Sequence, residues 1–176
     1  MQKPNLDRLW RIKIYLEMPS SNQDFFKKVI LGIKTKVTRL IEVLEKKDKL
    51  IDWYYFLIHG DPSPYFDVVV SLKISVSEET LKNSLRHLTY CSTPEKLDRN
   101  FGETISNVTR AQLKNDDIEE GWRLVGEQSQ WVIELINAYK EDALTIGQFT
   151  QFIHFFTNAV GLGMHSVMAV DGFYQF

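Results

Sequence analysis

The sequence predicts an α+β fold: a ferredoxin-like split β-α-β sheet, in the order strand-helix-strand-strand-helix-strand, with C-terminal helices packed on it. Three observations predict it. Two β-favouring runs, residues 53–58 and 65–74, flank Gly60-Asp61-Pro62-Ser63-Pro64. β-Branched and aromatic residues suit a pleated surface, whereas glycine and proline turn the chain back. A strand-like alternation at residues 9–17 gives way to a helical period over residues 24–47, because side chains repeat every 2.0 residues in a strand and every 3.6 in a helix. A second helical pattern then follows the hairpin.

In chain order, Trp10, Ile12, Ile14 and Leu16 share one face of a first strand. Pro19 ends it, and Ser20, Ser21 and Asn22 offer helix-capping side chains. Phe26, Val29, Ile33, Val37, Leu40, Ile41 and Leu44 form the apolar stripe of a long helix. Its lysines and Arg39 lie mostly off that stripe, as a solvated face or as a surface that docks an anion or peptide. Residues 53–58 are apolar throughout, which predicts a central strand covered on both faces. In the next run Phe66, Val68, Val70, Leu72 and Ile74 point one way, opposite Tyr65, Asp67, Val69, Ser71 and Lys73. The hairpin is therefore expected in the middle of the sheet. Ser75, Ser77, Glu78 and Glu79 open a helix with Leu81, Leu85 and Leu88 on its apolar edge. Residues 91–102 read as the longest irregular segment, and residues 104–110 as a fourth strand. Helices follow: one opened by acids at residues 115–120, with Trp122, Val125, Ser129, Val132 and Ile136 in a stripe, and one over residues 145–160 closed by Gly161 and Gly163. Residues 164–176 permit a short strand. The expectation is one domain over 1–176, an α/β sheet portion at 1–112 and a mainly helical portion at 113–176.

The 176 residues, with a net charge of −2, are ordinary in composition and argue against a polyanion binder. No apolar run approaches the roughly 20 residues of a membrane helix, and residues 1–8 lack the apolar core of a signal peptide. Cys91 is the only cysteine, which rules out an internal disulfide and disfavours a cysteine metal site. A cytoplasmic protein is expected.

On the last helix Thr150, His154 and Asn158 recur every fourth residue and form one polar stripe. Asn158 or Thr150 can hold the imidazole in one tautomer, which suits it to proton transfer near neutral pH. A hydrogen-bonded packing histidine is the plainer alternative. His59 stands at a strand end beside Asp61, where the turn itself accounts for it. Arg99, near Glu95, is a candidate anion or enolate stabiliser, or else an exposed loop arginine. No metal-ligand spacing, phosphate loop or nucleophile elbow occurs in the sequence.

Several stretches together resemble a family. Trp10-Arg11-Ile12-Lys13-Ile14-Tyr15, then Ile51-Asp52-Trp53-Tyr54-Tyr55-Phe56, then Asp61-Pro62-Ser63-Pro64-Tyr65-Phe66 are similar to the C-terminal elimination domain of lantibiotic dehydratases. That domain also stands alone in thiopeptide-type bacteriocin biosynthesis. Pro94-Glu95-Lys96-Leu97-Asp98-Arg99-Asn100-Phe101-Gly102 resembles the family's Glu-x-x-Arg-Tyr-Gly-Gly segment. Glu127-Gln128-Ser129 resembles its acidic-serine helix motif, and Ile153-His154-Phe155-Phe156-Thr157-Asn158 its Ile-His-Met-x-x-Asn-Arg. The matches keep one order over nearly the whole chain. Tyr65 stands where the family has histidine, and Asp67 and Val69 where it has arginines.

The resemblance implies biosynthesis of a ribosomally made, post-translationally modified peptide. Family members eliminate glutamate from glutamylated Ser or Thr, or join two dehydroalanines in a formal cycloaddition. By match, His154 would move the proton and Arg99 would stabilise charge, with Asn158, Glu95 and Tyr65 in support. The activity implied is that of a lyase or cyclase without cofactor or metal. The alternative is a non-catalytic peptide-binding or dehydratase-partner subunit. The implied partners are the leader and core of a precursor peptide, with a dehydratase or glutamylation subunit and a second copy of the chain as further candidates. Nucleic acid and membrane are not expected. A sheet edge and the basic helix are where a leader peptide would dock.

Overall fold

The computed structural model describes residues 4–59, 63–97 and 118–138. The chain divides into two units, Met1–Lys140 and Glu141–Phe176. The described residues belong to the first.

Among the described residues a mixed α+β architecture is built on a four-stranded antiparallel sheet of order β2-β3-β1-β4. Its strands are β1 (Leu9–Tyr15), β2 (Ile51–His59), β3 (Tyr65–Leu72) and β4 (Glu95–Lys96). Between β1 and β2 runs one continuous helical segment: α1 (Asn22–Gly32), a π-helical stretch (Ile33–Val37), α2 (Thr38–Ile41) and a second π-helical stretch (Glu42–Lys47). The Ser21 hydroxyl caps its start by accepting the Asp24 N–H at 3.1 Å. The stripe of Val29, Ile33, Val37, Leu40, Ile41 and Leu44 is buried. α3 (Glu78–Leu85) is capped in the same way, with Ser77 Oγ accepting the Thr80 N–H at 3.2 Å. α4 (Ile118–Ala138) lies along β2.

Register assigns the two faces, since directly opposed residues of an antiparallel pair share a side. Trp10, Ile12 and Ile14 oppose Val70, Val68 and Phe66 on one face, and all six are buried. The long helical segment belongs to that side: a Cβ on Gly32 would sit 2.7 Å from both Leu16 and Phe66. On the other face Leu9, Trp53, Tyr55, Val69 and Leu97 form a core cluster, with Leu6 and Val125 packed against it. Val125 brings in α4.

Four expectations change. β2 is an edge strand and β3 is central. The apolar run of β2 reflects cover on both faces without a second strand neighbour among the described residues: Trp53, Tyr54 and Tyr55 are buried, but Leu57 and Ile58 are exposed. α4 lies against β2 and supplies that cover. β3 is buried on both faces, including Asp67, Val69 and Ser71, and it ends at Leu72, leaving Ile74 exposed. Among the described residues the fourth strand is Glu95–Lys96, within the segment read as irregular. Residues 104–110, read as that strand, lie outside the described residues, as do those of the expected helix at 145–160 and strand at 164–176. Finally, the start of the segment read as irregular is tied to β1. Cys91 bridges Ile14, the Ser92 N–H donates to the Lys13 carbonyl at 2.8 Å, and the Leu97 N–H donates to that of Leu9 at 2.9 Å.

Candidate functional site

Polar side chains concentrate on the face that carries the Trp53–Tyr55 cluster, toward the Tyr15–Tyr65 end of the strands. The register places Arg11, Lys13 and Tyr15 of β1 beside Asp67 and Tyr65 of β3 and His59 of β2, with Glu95 of β4 directly opposite Arg11. The two ends of this face differ because Leu9, Val69 and Trp53 give way to charged and aromatic residues along the same three strands.

Asp67 is the buried centre, at 2 % exposure. Its Oδ2 lies 2.9 Å from Arg11 Nη2 and 3.6 Å from His59 Nε2. A buried carboxylate requires such a partner, because its desolvation is costly unless it is paired. The His59 ring stacks on Tyr65 at 4.7 Å between centroids, with 10° between planes. Tyr15 tilts against the other side of the row at 6.1 Å, and Lys13 Nζ lies 5.7 Å from the Tyr65 ring centroid. The row of rings is therefore a cross-strand ladder: Tyr15 opposes Tyr65, and Tyr65 opposes His59. Below it, burial and then the nearby Asp67 charge push the Tyr55 phenol above its ordinary range, so it stays protonated.

No protein-family model matches this sequence, and no curated protein matches it.

Two of the five residues singled out from sequence are described. Tyr65 is part of the ring ladder. Glu95 shares the same face opposite Arg11, exposed and in a strand rather than in a loop. Arg99, His154 and Asn158 lie outside the described residues. Sequence reasoning missed Arg11, Asp67 and His59 as a set. The available signal was Asp67 itself, an acid inside an otherwise apolar strand, which calls for a partner. His59 meets Asp67, eight positions on, because the hairpin register sets the two near each other.

Among the described residues no group of three or more His, Cys, Asp or Glu could hold a metal ion, and no helix is long and apolar enough to cross a membrane. Lys28 and Lys36 of the basic helix turn to backbone carbonyls, of Met18 at 2.6 Å and Tyr15 at 3.1 Å. Lys27, Lys46 and Lys47 remain exposed on that helix.

Proposed function

We propose that the chain is a diverged, stand-alone relative of the lantibiotic elimination and thiopeptide biosynthesis domains. It binds a glutamylated or dehydrated precursor peptide in the cytoplasm and changes it by elimination or cyclisation. The reading takes the sheet as ferredoxin-like. Its support is that β3 lies between β1 and β2, the strands joined by the long helical segment, and β1 lies between β3 and β4, joined through α3. One observation carries the functional part. Three of the stretches that resemble the family fall on or run into β1, β2 and β3, three neighbouring strands, and Arg11 from the first of them meets Asp67 on β3, with His59 of β2 beside it. Tyr65 replaces the family's histidine, yet an imidazole stands against it from the facing strand, that of His59.

In this reading His154 transfers the proton and Arg99 stabilises the developing charge, with Asn158, Glu95 and Tyr65 supporting them. The leader peptide docks at the outer edge of β4 or along the exposed lysines of the basic helix. At Phe56 the β2 edge is taken, since the Phe56 N–H donates to Ser129 Oγ at 3.2 Å. The test is mass spectrometry of glutamylated and dehydrated precursor peptides incubated with the protein. A mass change that His154→Ala abolishes without unfolding the chain is expected. Unchanged product formation by His154→Ala removes that residue from the mechanism.

A second reading, a non-catalytic subunit that binds precursor or dehydratase, is favoured by one feature. Where the family carries two arginines for leaving carboxylates, this chain has a buried acid and a valine, and Arg11 is committed to Asp67. Co-purification of the peptide with no change in its mass selects this reading.

A further inference from the structure

The end of the sheet holds a pair of groups whose geometry suits a reaction. His59 Nε2 is shielded from solvent, has no hydrogen-bond partner among the described residues, and lies 3.6 Å from Asp67 Oδ2. Asp67 Oδ1 is likewise buried without a hydrogen-bond partner among the described residues. A buried acceptor left unmade is costly, so the pair stands a small side-chain adjustment from a charge-assisted hydrogen bond. Such bonds are commonly long before a substrate binds. Stacking on Tyr65 fixes the plane of the ring. The side chain of His59 is nonetheless 41 % exposed. With Nε2 turned toward Asp67, Nδ1 is the ring nitrogen that remains for a substrate.

We propose that His59 is a proton-transfer residue of this chain and Asp67 its positioning partner, acting on a substrate that presents an O–H or an activated C–H to Nδ1. The inference rests on the peptide-processing reading only for the identity of that substrate. Once the pair closes, Asp67 accepts a hydrogen bond from Nε2–H, which keeps the proton on Nε2 and leaves the Nδ1 lone pair free. Nδ1 takes the substrate proton while the bonding pair stays on the substrate atom. The imidazolium, held beside the Asp67 carboxylate, then returns the proton to a leaving group or to water. Arg11, 2.9 Å from Asp67 Oδ2, holds that carboxylate in place. The sheet supplies rigidity, since Asp67 is on a central strand and His59 is paired in register with Tyr65 of that same strand.

Two measurements on the full chain decide this without the peptide. In ¹⁵N NMR, assigned with His59→Gln, the neutral His59 ring is expected to carry its proton on Nε2. Its tautomer ratio should lie about fivefold or more beyond that of exposed His87, in keeping with a charged acceptor. Asp67→Asn should remove the bias and Asp67→Glu should restore part of it. If Asp67→Asn does not fold, the comparison with His87 in the native chain decides. In the second measurement the probe is p-nitrophenyl acetate. Nδ1 attacks the ester carbonyl, p-nitrophenolate leaves with the bonding pair, and water then frees acetate and restores the ring. His59→Gln should remove most of this hydrolysis. A His59 ratio equal to that of His87, or hydrolysis unchanged in His59→Gln, overturns the proposal. A biased tautomer with reactive Nδ1 but no change in any precursor peptide leaves the dyad standing and sinks only the peptide reading.

Discussion

Arg11 and Asp67 meet at 2.9 Å across two central strands, the guanidinium 23 % and the carboxylate 2 % exposed. The asymmetry of burial makes the two partners unequal. Arg11→Ala strands an anion in the interior and should cost about 3 kcal/mol, the lower end for a broken buried pair, because the guanidinium keeps some water. Asp67→Ala leaves a cation that can turn to solvent and should cost less. Urea unfolding of both variants checks the order; equal losses, or a larger loss for Asp67→Ala, would show that the pair is not organised by burial.

Ser129 closes the β2 edge. Its hydroxyl is buried on α4 and accepts the outward N–H of Phe56 from 73 positions earlier in the chain. Ser129→Ala removes the acceptor from a shielded donor and should destabilise by about 1–3 kcal/mol. Hydrogen exchange at the Phe56 amide should rise more than at the Val68 amide, which belongs to the strand paired with it. Equal changes at both sites would point to global loosening instead.

Gly126 faces Trp53. A Cβ at this position would press on the indole nitrogen and come within 2.8 Å of Cδ1. Trp53 is fully buried, so the ring has nowhere to move. Gly126→Ala should therefore cost about 1–3 kcal/mol by overpacking, although alanine favours the helix by about 1 kcal/mol. Thermal melts and tryptophan fluorescence report the shift; a stabilised variant would mean that α4 sits further from the sheet.

Burial pushes the Cys91 thiol up to about 12, and the Tyr90 phenol up to about 12. Both groups hold their protons more tightly in the folded chain, so their contribution is complete below the unfolded values, 9.0 and 10.0, and is lost as pH rises toward 12. Stability should fall with pH across this window. Iodoacetamide at pH 8 should alkylate Cys91 slowly in the native chain and rapidly in urea, since the thiolate is the nucleophile. Fast alkylation of the native chain would contradict the burial.

The long helical stripe was legible because Val29, Ile33, Val37, Leu40 and Leu44 recur at a local period that needs no knowledge of the rest of the fold. The caps at Ser21 and Ser77 were legible for the same reason. The place of β2 was not. An apolar run reports that both faces are covered, and a helix covers a face as well as a sheet neighbour does, so Trp53 to Tyr55 read alike at an edge or a centre. Ser129 looked like an interruption of a stripe; its role depends on Phe56, far away in sequence. Of the candidate site, Tyr65 was found, whereas His59 was matched to Asp61 because nearness in sequence was the only measure available.

Local period, turn residues and capping side chains thus determined β1, β2, β3, the long helical segment, α3 and α4, and they placed Trp10, Ile12, Ile14 and the helical stripe in the core. Those are interactions within one turn or one pleat. Tertiary structure alone decided that β3 is central, that Gly126 admits Trp53, and that Asp67 lies between a guanidinium and an imidazole. Each of these is a pairing across strands or between a helix and the sheet. A buried charge or a missing side chain announces that a partner exists, but only register and packing choose which residue it is.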